Sequence, residues 1–357
     1  MKSRVLIFLV VSLGALAVLP SWNLFQSKSK NPFAVDLYSL DVLTSFASRY
    51  LYQAGISISP ENVVIGKDGW LFLGDNKRQL LTTKRSGRTD YSTVVANDFA
   101  RWVGAWQAHL VDIPLYVLIG PDKATIYPEF LPDWAVPADT TILSMIEDKG
   151  LESIIIPGDS LLEYKDEVGM DLYLKTDTHW NSLGSWVAYQ ALAREMSRYQ
   201  DLAFLGPGHI STVKPVRRNG GDLSRYLHLQ DELRDTSIAI EFDADLKVNL
   251  EIFNFETGVL LNRGRKYKAQ APEEPTLFRS DNALNSKKVL WIRDSFGNAL
   301  DPLMAMTFRE SLQMDYRRVT PELFARLVAR YRPDIVVLTV VERNLNWGTF
   351  RKLPEPL

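Results

Sequence analysis

Cysteine is missing from all 357 residues, which excludes disulfides, thiolate metal sites and a cysteine nucleophile. An excess of basic charge is missing as well. Lys and Arg number 41 against 43 Asp and Glu, a formal net charge of −2, so nothing in the balance points to nucleic acid. The chain also lacks any block of like charge, any low-complexity tract and any internal repeat, so no disordered tail is indicated. What remains is an ordinary globular balance. Hydrophobic residues make up 46% and charged residues 24%, enough for a substantial core in one large α/β domain or two smaller ones.

The N-terminus carries the first positive signal. Lys2 and Arg4 precede an apolar run from Val5 to Leu19, broken only by Ser12 and Gly14. Two cations ahead of such a run are the n-region and h-region of an export signal. Ala15-Leu16-Ala17 has a small-x-small cleavage pattern, yet it falls inside the apolar stretch. Counted through Trp22 the stretch is about 18 residues, near the lower limit for spanning a bilayer. The expectation is an uncleaved signal anchor over residues 1–22, its N-terminus cytoplasmic because the cations stay inside. A cleaved soluble form is the alternative. Residues 23–45 are polar and mixed, and suit a tether between the membrane and an exported body over 46–357.

Within that body, Asn62–Leu73 reads as two short strands around a Lys67-Asp68-Gly69 turn, because Asp-Gly favours tight hairpins. Phe99, Trp102, Val103, Trp106 and Leu110 recur at helical spacing. Leu115–Gly120 and Ser153–Pro157 read as buried strands, with a helical stretch around 139–150 between them. A helix is expected over roughly 182–199, capped by Asn181 or Ser182. Residues 204–285, with Pro207, Gly208, Gly220, Gly221 and the alternating Leu246–Phe253, read as a β-rich or irregular insertion leaving the main sheet. Strand Lys288–Arg293, helix 321–331 and strand Asp334–Val341 then resume the core pattern. Buried strands alternating with helices indicate a parallel sheet covered on both faces.

Parallel sheets of this kind bind ligands at the carboxyl ends of their strands. Ser295 lies at such an end, in Ile292-Arg-Asp-Ser-Phe-Gly-Asn298, between a strand and a helix. There its hydroxyl projects outward and its N–H joins a helix terminus that favours an oxyanion. Alone, an Asp-Ser after a strand is more often a plain cap. Asp177-Thr-His179-Trp-Asn181, directly before another helix, supplies what a serine nucleophile needs: an imidazole to take its proton and a carboxylate to hold that imidazole. Two residues apart in a bent loop, Asp177 can reach the far ring nitrogen of His179. Taken alone, this pair also reads as a capping Asp beside a structural His.

Asp-x-His-Trp before a helix, followed much later by Asp-Ser-Phe-Gly after a strand, resembles the SGNH-hydrolase-like domain of bacterial alginate O-acetylation proteins. Ile65-Gly-Lys-Asp-Gly-Trp-Leu-Phe72, Pro121-Asp-Lys123 and Glu342-Arg-Asn-Leu345 fit the same family. The resemblance thus covers roughly residues 60–350. It implies a three-layer α/β/α sandwich with a mainly parallel sheet, and O-acetyl transfer to, or deacetylation of, an exported polysaccharide. By the same resemblance Ser295 is the nucleophile, His179 the general base and Asp177 its orienting acid. Typical SGNH esterases place the serine early and Asp-x-x-His late. The reversed order and Asp-x-His spacing here agree with the permuted alginate-type members.

Lesser assignments follow. Asp294 reads as a turn-former. By resemblance to SGNH enzymes, which use a side chain after a later strand, Asn344 occupies the place of a second oxyanion donor, with Gly220-Gly221 as a backbone alternative. Arg343 suits a sugar or carboxylate, or pairs with Glu342. Trp180, beside His179, is the tryptophan best placed to stack on a sugar ring; Trp70 and Trp186 read first as core. His209, His228 and Asp222 show no known zinc-ligand spacing, so no metal or other cofactor is expected. The resemblance further implies a polysaccharide acceptor and a membrane-bound O-acyltransferase that supplies acetyl groups. A polysaccharide acetylesterase with the same triad, or a non-catalytic polysaccharide-binding or assembly protein, are the alternatives.

Overall fold

The computed structural model describes residues 2–27, 31, 33, 35–76 and 80–354. β1 (Val63–Ile65) and β2 (Leu71–Leu73) pair antiparallel as the hairpin that Asp-Gly predicts. Asp68 and Gly69 turn it with φ of 53° and 79°, values open to Asp and Gly at little cost. The remaining strands are β3 (Leu115–Gly120), β4 (Ile154–Ile155), β5 (Ile210–Asn219), β6 (Arg234–Phe242), β7 (Leu250–Asn254), β8 (Leu260–Gly264), β9 (Thr276–Ser280), β10 (Asn285–Arg293), β11 (Phe308–Asp315) and β12 (Ile335–Val341).

One sheet runs in the order β4-β3-β12-β10-β11-β9-β7-β8. From β4 to β11 every pairing is parallel. The apolar runs of these strands are explained by burial on both faces. Leu115, Val117 and Ile119 point to one side, against helices Asp90–Leu110 and Pro321–Tyr331. Tyr116 and Leu118 point to the other, against helices Ser182–Tyr199 and Gly297–Thr307. Helices thus cover both faces of the sheet, giving the three-layer α/β/α sandwich.

Residues 204–285 are β-rich, but only β5 and β6 stand apart from the main sheet, as a two-stranded arm. β7, β8 and β9 do not leave the main sheet; they continue it antiparallel beyond β11. Their alternating burial, with Leu250, Ile252, Thr276, Phe278 and Ser280 inward, is the pattern of a sheet covered on one face only. That pattern resembles an insertion when read along the chain. The helix expected around 139–150 is shorter, Ile142–Glu147, capped by Thr141. At the N-terminus, helix Lys2–Gln26 contains Val5–Phe25, whose mean hydropathy is 2.3 and whose large apolar side chains, Val5 to Leu16 among them, are mostly exposed. It is long and apolar enough to cross a membrane.

In the central strands, Trp291 of β10 donates its indole N–H to Thr339 Oγ1 of β12 at 2.9 Å, with both side chains fully buried. Thr339→Val keeps the shape and removes the acceptor. The unsatisfied indole should cost about 1–3 kcal/mol. Denaturant unfolding measures that loss, and an unchanged midpoint would contradict it.

Candidate active site

β3, β10 and β12 are neighbours in the parallel sheet and end on the same side, at Gly120, Arg293 and Val341. The loop Leu172–Asn181 folds over these ends. It closes on itself through Leu174 N–H to His179 O and Asn181 N–H to Leu172 O, at 3.1 and 2.9 Å. Asn181 then caps helix Ser182–Tyr199 by accepting from the amides of Leu183 and Gly184, as its residue type predicts. Lys123 holds the loop from below. Its ammonium donates to the carbonyls of Leu174, Lys175 and Asp177 at 2.9, 2.9 and 2.7 Å. Asp235 of β6 holds it from the side, accepting from the amides of Lys175 and Thr176.

At the tip of this loop His179 Nδ1 lies 2.7 Å from Asp177 Oδ1, and Nε2 lies 2.8 Å from Ser295 Oγ. Asp177 is thereby joined to Ser295 through one imidazole. The serine sits in the turn between β10 and helix Gly297–Thr307, partly open to solvent, and its N–H has no acceptor among the described residues. Asp294 shapes that turn. One carboxylate oxygen accepts from Phe296 N–H, and the other accepts from Val341 N–H and Asn344 Nδ2. Trp180 fastens the two loops together, donating from Nε1 to Phe296 O at 3.0 Å.

Electrostatics follow from this packing. Burial pushes the Asp177 carboxyl upward, but the His179 hydrogen bond and charge, Arg218 and the Asp222 N–H together hold it well below the usual carboxylate range. Burial pulls Lys123 down to about 7, against the raising effect of Asp177, Asp222 and Asp235. Asp294 is raised by burial, with the Val341 and Phe296 amides opposing.

Several residues carry parts that sequence reasoning did not assign. Asp222 is not grouped with His209 and His228. It accepts from Thr178 N–H and Oγ1 at 2.7 and 2.6 Å, and its Oδ2 lies 3.7 Å from His179 Nδ1. Asp177, His179 and Asp222 each offer a ligand atom within 4.8 Å of the others. Nδ1 is the ring nitrogen that faces both carboxylates, at 2.7 Å from Asp177 and 3.7 Å from Asp222. Gly221 packs directly on Asp177: a Cβ there would stand 2.3 Å from Asp177 Cβ. The Gly220-Gly221 pair was visible in the sequence; its contact with Asp177 was not.

Three expectations change. Trp180 is 2% exposed and wedged between the two loops, so it has no face for a sugar; Trp70 and Trp186 are equally buried. Arg343 pairs with Asp122 at 2.5 Å and lies over the Phe296 ring, whereas Glu342 pairs with Lys84. Gly220 and Gly221 spend their amides on Gln230, Leu233 and Thr176, which removes them as oxyanion donors. One N–H of Asn344 is committed to Asp294 at 3.3 Å.

Residues 63–243 match the family model of the SGNH hydrolase-like domain, acetyltransferase AlgX. The chain belongs to this family. The matched SGNH hydrolase-like segment contains Asp177 and His179 but stops short of Ser295, which the fold alone brings to them. The chain is also similar to a probable alginate O-acetylase, AlgJ, of Pseudomonas aeruginosa, 28% identical over 179 residues. That alignment takes in 48% of this chain and 43% of the relative, less than half of its length. Among solved structures, Bacillus cereus PatB1 superimposes with a TM-score of 0.59 at 16% identity, covering 79% of this chain and 97% of that one. The O-acetyltransferase domain of Pseudomonas putida AlgJ gives 0.50 at 19% identity, covering 81% and 93%. At such identities these likenesses speak to the fold, which is the SGNH-like sandwich.

Two outcomes follow from the packing on Asp177. In Gly221→Ala the new methyl and the carboxylate cannot both keep their places, and a displacement of order 1 Å should cost ester turnover about 10²-fold. Steady-state kinetics with circular dichroism on the same sample checks this; a folded variant of wild-type activity would contradict it. Because the Asp177 pKa is lowered on folding, its stabilising contribution is present above the unfolded carboxylate pKa of about 4 and is lost as the pH falls below it. Wild type should therefore be more stable than Asp177→Asn near neutral pH, and the gap should shrink below about pH 4. A gap independent of pH in thermal unfolding would refute the assignment.

Proposed function

We propose that this chain is a serine-dependent O-acetyltransferase acting on an exported polysaccharide through an acetyl-serine intermediate. The observation that carries the reading is the unbroken relay Asp177–His179–Ser295, with heavy-atom separations of 2.7 and 2.8 Å, at the carboxyl edge of the sheet. His179 Nε2 takes the proton as Ser295 Oγ attacks the acetyl carbonyl of the donor. The oxyanion that forms is met by the Ser295 N–H and the remaining N–H of Asn344. Collapse breaks the bond to the donor oxygen, which leaves with the proton from His179. A polysaccharide hydroxyl then gives its proton to His179 and attacks the acetyl-serine, and the second collapse returns the proton to Ser295. Asp177 keeps Nδ1 protonated and stabilises the imidazolium in both halves.

Membership of the acetyltransferase family supports transfer over simple hydrolysis. In the acetylesterase reading water takes the place of the sugar hydroxyl, and the triad chemistry is otherwise the same. Helix Lys2–Gln26 serves in this account as an inner-membrane anchor that keeps the catalytic body in the periplasm, near a membrane-bound O-acyltransferase supplying acetyl groups.

Ser295→Ala should reduce turnover of a chromogenic acetyl ester by several orders of magnitude without moving the melting temperature, since the hydroxyl packs against little but supplies the nucleophile. Activity within about tenfold of wild type would remove Ser295 from the mechanism. With the wild-type chain, labelled acetyl should appear in an added polysaccharide. Labelled acetate alone, whatever polymer is offered, would favour the esterase.

A further inference from the structure

Helix Asp41–Gln53 is built inside out. Leu43, Phe46, Ala47 and Tyr50, at i, i+3, i+4 and i+7, form one stripe, and the stripe faces outward. Leu43, Phe46 and Tyr50 are 57%, 56% and 58% exposed, and the two rings meet edge to face at 4.9 Å. The inward side carries Ser48, buried, with Thr44, Leu51 and Tyr52 partly covered. A helix on a soluble surface normally turns its apolar stripe to the core.

The outward stripe is not a sign of loose attachment. Arg49 donates two hydrogen bonds to the Glu232 carboxylate, at 2.7 and 2.8 Å. Tyr52 packs on the small core of Val63, Leu71, Leu223, Leu227 and Leu229. The helix is therefore held in place with its apolar face turned away from the protein.

What lies beside that face indicates its occupant. Asn23, in the last turns of the apolar helix Lys2–Gln26, donates from its side-chain amide to the carbonyls of Leu37 and Ser39, at 2.9 and 2.8 Å. The start of helix Asp41–Gln53 is thereby tied to the end of the helix that is long and apolar enough to cross a membrane. A bilayer that holds the first helix brings its surface to that end.

We propose that Leu43, Phe46 and Tyr50 enter the headgroup layer of the same bilayer, so that helix Asp41–Gln53 lies in the membrane plane as a second contact. Tyr is suited to that layer, with an apolar ring and a polar tip, and an exposed apolar stripe binds there through its buried area. This rests on the anchor reading of the first helix. Its consequence reaches the active site. Leu223, in the core that receives Tyr52, belongs to the short helix Asp222–Tyr226, and the N–H of Asp222 bonds Asp177. The membrane contact and the triad are then joined through one small rigid core, which fixes the height of Ser295 above the lipid.

The natural chain has no cysteine, so a single introduced thiol carries a label without background. Full-length Ala47→Cys and Lys149→Cys, each labelled with an environment-sensitive fluorophore, are reconstituted into vesicles of phosphatidylethanolamine and phosphatidylglycerol doped with a headgroup-proximal nitroxide lipid. Flotation of both variants with the vesicles tests the anchor. The label at position 47 should be quenched several-fold more than the label at the exposed position 149, and should emit at shorter wavelength once vesicles are present. Flotation with equal, weak quenching at both positions would overturn the lipid contact while leaving the anchor intact. Shielding of position 47 that appears only when a membrane-bound acyltransferase is co-reconstituted would make the face a protein-docking surface and also overturn the proposal. Failure to float would overturn the anchor, and the proposal with it.

Discussion

A buried ammonium organises the centre of this molecule. Lys123 lies beneath the loop Leu172–Asn181, and three of the loop's backbone carbonyls converge on it. Carbonyls turned to one point cannot be satisfied by a strand or a helix, whose donors are spread along an axis. They need a group with several N–H bonds at one atom, and lysine supplies three. Burial opposes that charge, pulling its pKa down to about 7, and the carboxylates of Asp177, Asp222 and Asp235 oppose the pull. The loop that presents Asp177 and His179 is thus shaped from inside, by contacts that do not involve the serine.

Around that ammonium, charged groups at the strand ends are matched in pairs. Arg343 meets Asp122, and Lys84 meets Glu342, which also accepts from Asp122 N–H and Thr125 Oγ1. Such buried groups are costly unless their hydrogen bonds are made. Together they tie the end of β12 to the end of β3, while Asp294 ties it to the turn after β10. Close approach does the rest. A Cβ at Gly120 would meet the Phe296 ring at 2.6 Å and the Trp180 ring at 3.0 Å, so the absence of a side chain lets the two loops close on one another. Ser295 and His179 are brought within a hydrogen bond by these contacts.

Much of this was legible from the sequence because it is local. Apolar runs such as Leu115–Gly120 and Asp334–Val341 announce strands buried on both faces, and Asp177-Thr-His179 places a carboxylate and an imidazole within reach of each other in a single loop. The pairing of that loop with Ser295, 116 residues later, was inferred from residue chemistry and family resemblance, and the fold brings the two within 2.8 Å. Other features depend on long-range packing, which leaves no local signal. The alternating strands β7 and β9 read as an excursion because one-faced burial looks the same in a separate hairpin and at a sheet margin. Asp222 offered only its residue type, and nothing near it in sequence indicates Thr178 or Asp177. Trp180 stands next to His179 along the chain, yet its ring is buried between Tyr173 and Phe296, a packing that depends on residues distant in sequence.

The central claim is that Ser295 becomes acylated through His179. Rapid quenching of the full-length chain during turnover of an acetyl donor, followed by digestion and mass spectrometry, reads this directly. The account predicts an acetyl increment on the peptide that carries Ser295, appearing before product and disappearing when a hydroxyl acceptor is added. Turnover with no acetyl on that peptide at any quench time, or acetyl on a different side chain that passes to the acceptor at the rate of turnover, would contradict it.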